Sequence, residues 1–217
     1  MAKLSDKDLI ARRAAQELHD GDVVNLGIGL PSLVSNHVPK EVHITLHAEN
    51  GILGMGSLCS PEEVDSDVIN AGNQNVNILP GASFFDSTTS FAIIRGGHVD
   101  VTILGALQVD QEGNIASHMI PGKMVPGMGG AMDLVAGAKK VIVAMQHTAR
   151  GTAKILNKCN LPLTGVGCVD MIVTELAVFE ITDKGLMLKE LMPGVSLKDV
   201  EENTDAEFYV YDMLKAA

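Results

Sequence analysis

One acidic side chain is set apart by its surroundings. The stretch "LHAENGILGMG", residues 46–56, carries Glu49 after an apolar run and before Gly51, Gly54 and Gly56. Read as a strand, "HITLHAE" puts His43, Thr45, His47 and Glu49 on one face and Ile44, Leu46 and Ala48 on the other, because strand side chains alternate. Three uses of Glu49 stay open on this pattern. It is a solvated strand end, or it joins His43 and His47 around a metal ion, or it is a nucleophile. Neighbours two apart on a strand need ligands from elsewhere to close a metal site. A nucleophilic carboxylate attacks an activated acyl group. It needs no general base, since carboxylates of ordinary acidity are ionised at neutral pH. It does need donors for an oxyanion, and shelter from water for the acyl anhydride it forms.

The donors have candidates. Three glycine-rich turns punctuate the chain: Gly27-Ile28-Gly29, the run from Gly51 to Gly56, and Gly127-Met128-Gly129-Gly130. Glycine permits positive φ and close approach of a ligand to the backbone. The third turn leads straight into a predicted helix, so its N–H groups can face an anion. Each turn alone reads equally as a tight connection between elements. Other signatures are missing: there is no GxxxxGK[ST], no GxSxG, and "GIGLPS" and "GMGGAM" both fail the last position of GxGxxG. Nucleotide hydrolysis, α/β-hydrolase chemistry and ordinary dinucleotide binding lose their main support.

Composition narrows the classes further. The chain has 217 residues, 46% of them hydrophobic, and only 5 Phe, 2 Tyr and no Trp, so an aliphatic core in one domain over residues 1–217 is expected. A formal charge of −11, with 16 basic against 27 acidic residues, is wrong for nucleic acid, whose affinity comes from basic residues neutralising phosphates. No apolar run reaches the length of a membrane span. The N-terminal "MAKLSDKDLIARRAAQEL" is charged and lacks the apolar core of a signal peptide, so a cytoplasmic location is expected. Cys59, Cys159 and Cys168 have neither CxxC nor metal spacing and read as reduced structural thiols.

The elements that must position Glu49 alternate. A helix capped by Ser5 and Asp8 buries Leu9, Ile10, Ala14 and Leu18 and ends at Gly21. "DVVNL" is a short strand, and Pro31 opens a helix running through Val34 to Val38. "HITLHAE" and "VNILP" read as strands, "STTSFAIIR" as a helix stopped by Gly96-Gly97, and "VDVTILGAL" and "KKVIVAMQH" as strands covered on both faces. "ALQVDQEGNIAS" and "LAVFEITDKGLMLKEL" are hairpins, "GAMDLVAGA" and "SLKDVEEN" helices, and "AEFYV" a last strand. This is an α/β fold with a mostly parallel sheet flanked by helices and some antiparallel hairpins. Ligands in such sheets sit beyond the carboxyl ends of the strands, where both "GIGLP" and "ENGILGMG" fall.

The ordered set "ENGILGMG", "LPGASFFDS", "SFAIIRGGHVDVTILGALQVD", "IPGKMVPGMGGAMDLVAGAKKVIVAMQHT" and "LPLTG" resembles the B subunit of the family I 3-oxoacid CoA-transferases, from the first helix to the last strand. The resemblance implies the CoA-transferase fold, which is shared with ribose-5-phosphate isomerase. It implies that Glu49, the Glu of "ENG", takes up CoA as a covalent glutamyl-CoA thioester, with CoA a substrate rather than a cofactor and with no metal. By the same resemblance, backbone groups of Gly27, Ile28, Gly29, Gly129 and Gly130 line the CoA-thioester site and Asn50 shapes the loop. His47 and Ala48 depart from the commoner "QSENG" pattern, beside the nucleophile. A partner A subunit is implied, in an A2B2 heterotetramer, acting on an acyl-CoA donor and a short-chain carboxylate or 3-oxoacid. That partner, or backbone N–H groups, would meet the CoA phosphates, for which this acidic chain has no basic cluster. A sugar-phosphate isomerase on the related fold and a non-catalytic partner subunit are the competing expectations.

Overall fold

The structure is a computed structural model that describes residues 5–125, 127–212 and 214. Helix α1 (Asp6–Ala15) starts where Ser5 Oγ accepts from the Asp8 N–H. It stops at Gln16, five residues before the expected Gly21. Gly21, at φ +89°, belongs to a separate turn held by Asp22 N–H to the His19 carbonyl and His19 N–H to the Asp22 carboxylate. Strand β1 (Val23–Leu26) comes next, then a 3-10 helix over Pro31–His37 in place of the expected ordinary helix. The hydroxyls of Ser32 and Ser35 donate to the carbonyls of Gly29 and Ser32, three residues back, which favours the tighter winding.

The chain continues through β2 (Thr45–Ala48), β3 (Ile52–Leu58), β4 (Val76–Phe84), α2 (Ser87–Arg95) and β5 (Val101–Leu104). A hairpin of β6 (Gln108–Asp110) and β7 (Ile115–Ala116) precedes α3 (Ala131–Gly137) and β8 (Lys140–Ala144). Short strands β9 (Thr148–Ala149), β10 (Thr152–Ala153) and β11 (Ile155–Leu156) come after it. The chain closes with β12 (Met171–Val173), β13 (Ala177–Thr182), β14 (Gly185–Leu191), α4 (Leu197–Asn203) and β15 (Tyr209–Val210).

Ten strands form one sheet in the order β15-β14-β13-β12-β8-β5-β1-β2-β3-β4. The central five, β12 to β2, are parallel, and antiparallel hairpins extend the sheet at both sides. Alternation sorts the core onto two faces. Val24, Leu46, Val101, Ile103, Ile142 and Ala144 pack under α1. Leu104, Val141 and Val143 face the side of α2 and α3, with Ile94 and Leu134 above them. On that second face the row that starts with aliphatic residues turns polar towards β2. Thr102, Asn25 and His47 are direct cross-strand neighbours, and all three are buried. Among the described residues, no helix is long and apolar enough to cross a membrane.

The glycine run after Glu49 is not a loop. Only Glu49, Asn50 and Gly51 form the turn, and Gly54 and Gly56 lie inside β3. A Cβ on Gly54 would sit 2.9 Å from the Ala82 Cα, and one on Gly56 would sit 3.0 Å from the Asn77 carbonyl oxygen. These glycines let β4 press against β3 where the ladder steps from Leu53–Ser83 to Met55–Ile78.

Candidate active site

Glu49 stands at the tip of a three-residue hairpin at the carboxyl end of β2. Strand pairs His47–Leu53 and Ala48–Ile52 close the hairpin behind it. Gly51, at φ +122°, donates its N–H to the Ala48 carbonyl at 2.9 Å, and its own carbonyl accepts from Phe85 N–H at 3.0 Å. A Cβ on Gly51 would run into the Phe85 carbonyl oxygen, so glycine is required twice over at this position. Asn50 Nδ2 donates to the Ile69 carbonyl at 2.7 Å and ties the tip to the segment before β4.

The carboxylate of Glu49 is half-buried, and its Oε1 accepts a hydrogen bond from the Gly130 N–H at 3.1 Å. Gly130 caps α3, as the third glycine-rich turn suggests. The approach is close: a Cβ on Gly130 would lie 2.8 Å from Glu49 Cδ and Oε2, and one on Gly129 would lie 3.4 Å from Oε1. Residues 81 apart in sequence therefore meet, and only a bare backbone fits between them.

The other glycine turn divides. Gly27 N–H donates to the Ile103 carbonyl at 2.8 Å, and a Cβ there would press on Ile103 and Leu104 at 3.3 Å, so Gly27 packs β1 against β5. Gly29, at φ +86°, is open above its Cα, and its carbonyl accepts from Ser32. Ile28 is 71% exposed and borders Gly72, in the same segment that Asn50 reaches through Ile69. Among the described residues, no hydrogen bond joins Gly27, Ile28 or Gly29 to Glu49. Phe84 and Met128 are exposed apolar side chains close in sequence to the two contacts of the Glu49 turn, at Phe85 and Gly130. A hollow of about 490 Å³ lies elsewhere, along α2 between Ser87 and Arg95.

The histidines do not gather around Glu49. His43 is exposed and meets Asp20, with Nδ1 3.1 Å from Oδ1. His47 is buried on the α2 face, between Asn25 Nδ2 at 3.2 Å and Ser90 Oγ at 3.1 Å, and its ring lies parallel to that of Phe85. Burial lowers its pKa to about 4, so the imidazole is neutral at physiological pH. The shared face predicted for His43, His47 and Glu49 fails because β2 covers only Thr45–Ala48, and Glu49 already belongs to the turn. Among the described residues, no cluster of three or more His, Cys, Asp or Glu is placed to hold a metal ion. Burial, reinforced by Asp110, pushes the Cys159 thiol up to about 12, and burial pushes Cys168 up to about 11, so neither is a thiolate at neutral pH. Sequence reasoning misses the His47 network. Its one signal is Asn25, a polar residue inside the apolar strand "DVVNL".

Known proteins resemble this chain in sequence and in fold. Residues 7–203 match the family model described as coenzyme A transferase. The chain is 57% identical over 213 residues to the beta subunit of the acetate CoA-transferase of Haemophilus influenzae, covering 98% of this chain and 95% of that protein. It is 53% identical over 205 residues to the B subunit of the succinyl-CoA:3-ketoacid coenzyme A transferase of Helicobacter pylori, covering 94% and 99%. Among solved structures, the acyl-CoA transferase YdiF of Escherichia coli O157:H7 matches as the apoenzyme with a TM-score of 0.74 at 27% identity. Its thioester complex with CoA matches with a TM-score of 0.73 at 28% identity. The apoenzyme match covers 98% of this chain but only 44% of YdiF, so the chain spans less than half the length of that protein. With residues 7–203 matched by the family model and more than half of its residues identical to full-length relatives, the chain belongs to the coenzyme A transferase family.

Proposed function

We propose that this chain is the catalytic B subunit of a CoA-transferase that moves CoA between an acyl-CoA and a short-chain carboxylate or 3-oxoacid, with Glu49 as the covalent carrier. The observation that carries the reading is the Gly130 N–H at 3.1 Å from Glu49 Oε1, at a turn fixed on both sides. Glu49 attacks the thioester carbonyl carbon of the donor, the C–S bond breaks, and CoA leaves as the thiolate with an acyl-glutamyl anhydride behind it. The thiolate then attacks the Glu49 carbonyl carbon, expels the donor carboxylate and leaves a glutamyl-CoA thioester. The acceptor carboxylate runs the same two steps in reverse. No proton changes hands, which is why one glutamate without an acid/base partner suffices.

The Gly130 N–H has a defined part in this sequence of steps. When thiolate adds to the Glu49 carbonyl, negative charge gathers on an oxygen of that side chain, and the donor already aimed at Oε1 stabilises it. One such donor is worth roughly 10²–10³ in rate. Gly129 and the open backbone of Gly29 offer close access to the thioester, whereas the role of Gly27 is to hold β1 and β5 together.

A partner A subunit completes the site, in an A2B2 assembly. The relatives named as beta and B subunits support a partner subunit, as does the length of YdiF, more than twice the span matched here. The anhydride must be kept from water, yet Glu49 is only partly buried, and Phe84 and Met128, close in sequence to its contacts at Phe85 and Gly130, are exposed. The partner, or backbone N–H groups, meets the CoA phosphates, for which this acidic chain of net charge −11 has no basic cluster. CoA is substrate rather than cofactor, no metal takes part, and the location is cytoplasmic. The test is the complex with its A subunit treated with acyl-CoA, then digested and mapped by mass spectrometry. CoA covalently held at Glu49, and loss of transfer in an assembled Glu49→Ala complex, are the expected results. Full transfer by Glu49→Ala would end the proposal.

A further inference from the structure

We infer that His47 is a positioning residue for Glu49, held by Asn25 and Ser90 so that the turn presenting the carboxylate starts from a fixed point. This rests on the reading of Glu49 as the covalent carrier. His47 is the last but one residue of β2 and two residues before Glu49. Asn25 Nδ2 holds it twice, donating to the His47 carbonyl at 3.1 Å and lying 3.2 Å from Nδ1. An amide nitrogen only donates, so Nδ1 accepts, and the ring proton sits on Nε2, which donates to Ser90 Oγ at 3.1 Å. The ring is thereby a neutral donor–acceptor pair bridging β1 and α2. A second ring proton would point at the Asn25 amide hydrogens.

The surroundings are built for this. His47, Asn25 and Ser90 are buried together, joined through His47 across β2, β1 and α2. Buried polar groups persist where each is satisfied and specifies one arrangement. The row continues to Thr102, the cross-strand neighbour of Asn25, whose buried Oγ1 has no partner among the described residues. From His47 onward the backbone has little freedom: Gly51 N–H closes on Ala48, Phe85 N–H on Gly51, Asn50 on Ile69, and Gly130 N–H on the carboxylate itself. His47 is the buried end of this chain of contacts and Glu49 the reacting end. A carboxylate displaced by about 1 Å from its attack position costs on the order of 10²-fold in rate.

The test compares His47→Gln, which keeps one donor and one acceptor, with His47→Leu, which has neither. Each is measured in the assembled complex with acyl-CoA, with active sites counted by covalent CoA. The expected result is kcat per counted site within about threefold of wild type for His47→Gln and at least tenfold lower for His47→Leu, with KM for acyl-CoA within about twofold in both. A merely structural role would lower the number of counted sites, or the melting temperature, without changing the rate per site; that outcome overturns the inference. If His47→Leu does not assemble, Ser90→Ala, which removes only the Nε2 partner, decides: a fall in kcat per site of threefold or more supports the role, and an unchanged value ends it. Absence of CoA at Glu49 in the wild-type complex would instead strike at the covalent mechanism.

Discussion

His47 and His147 make the most instructive pair in the molecule. Each lies at the carboxyl end of a parallel strand, β2 and β8, with β1 and β5 between them. Both are fully enclosed, and burial lowers both to a pKa of about 4, with the charge of Lys154 adding to the effect at His147. Both rings are bonded at each nitrogen. His147 lies 2.9 Å from Thr174 Oγ1 and 2.9 Å from Thr204 Oγ1, at the end of α4. The chain leaves the two rings in different ways. After His47 it turns through Glu49 and exposes a carboxylate to a backbone donor. Beside His147 the carboxylate is Glu175, and it is occupied by the His147 backbone N–H at 2.9 Å. The same fastening presents a partly buried carboxylate at one strand end and closes the scaffold at the other.

The sharpest way to separate the two regions uses the ends of α3. Gly130 faces Glu49, whereas a Cβ on Gly137 would meet the backbone of Ile94 in α2, 2.8 Å from its carbonyl carbon. Gly130→Ala forces the Glu49 carboxylate off its donor, and a fall in transfer of roughly 100-fold is expected with the fold intact by circular dichroism. Gly137→Ala forces α2 and α3 apart. Its expected cost is stability, about 1–3 kcal/mol by denaturant titration, with kcat per counted site unchanged. Equal losses of activity in both variants would erase the distinction.

How much of this is legible in the sequence depends on the range of the interactions. Strands such as "VDVTILGAL" and "KKVIVAMQH" are readable because burial on both faces leaves an unbroken apolar run. The turn that carries Glu49 is readable because Gly51 follows closely on an apolar strand. The helix from Pro31 is found where the sequence puts it, but its 3-10 winding and the end of α1 are not legible, because Ser32, Ser35 and the Asp22 side chain compete for backbone groups. The glycines of β3 look like a loop because composition does not say whether glycine serves a turn or a close backbone crossing. The Gly130 contact joins residues 81 apart, and no local spacing encodes it.

A smaller effect tests the scaffold histidine directly. His147→Leu leaves Thr174 and Thr204 without their ring partner, although both hydroxyls keep contacts to the Ala177 and Val200 carbonyls. The expected loss is about 1–3 kcal/mol, read as a melting temperature lower by about 2–4 °C per kcal/mol. The rate per counted site should not change. If it falls as far as in His47→Leu, position relative to Glu49 is not what separates the two rings.

The last effect is the acid dependence that the pair shares. Unfolded, each histidine takes a proton near pH 6.5; folded, each resists until about pH 4. Between these values the unfolded chain binds more protons, so stability rises with pH across the window, is complete above it, and is lost as pH falls through it. For His147 the full difference is on the order of 3 kcal/mol. Denaturant midpoints measured from pH 7 to pH 4 should therefore fall in wild type and fall less steeply in His147→Leu. They should also fall less steeply in His47→Gln, since glutamine keeps the bonds but cannot be charged. That variant joins the two arguments: it should flatten the acid slope while leaving transfer near wild type. A His47→Gln complex with an unchanged acid slope would mean that His47 does not titrate in this window.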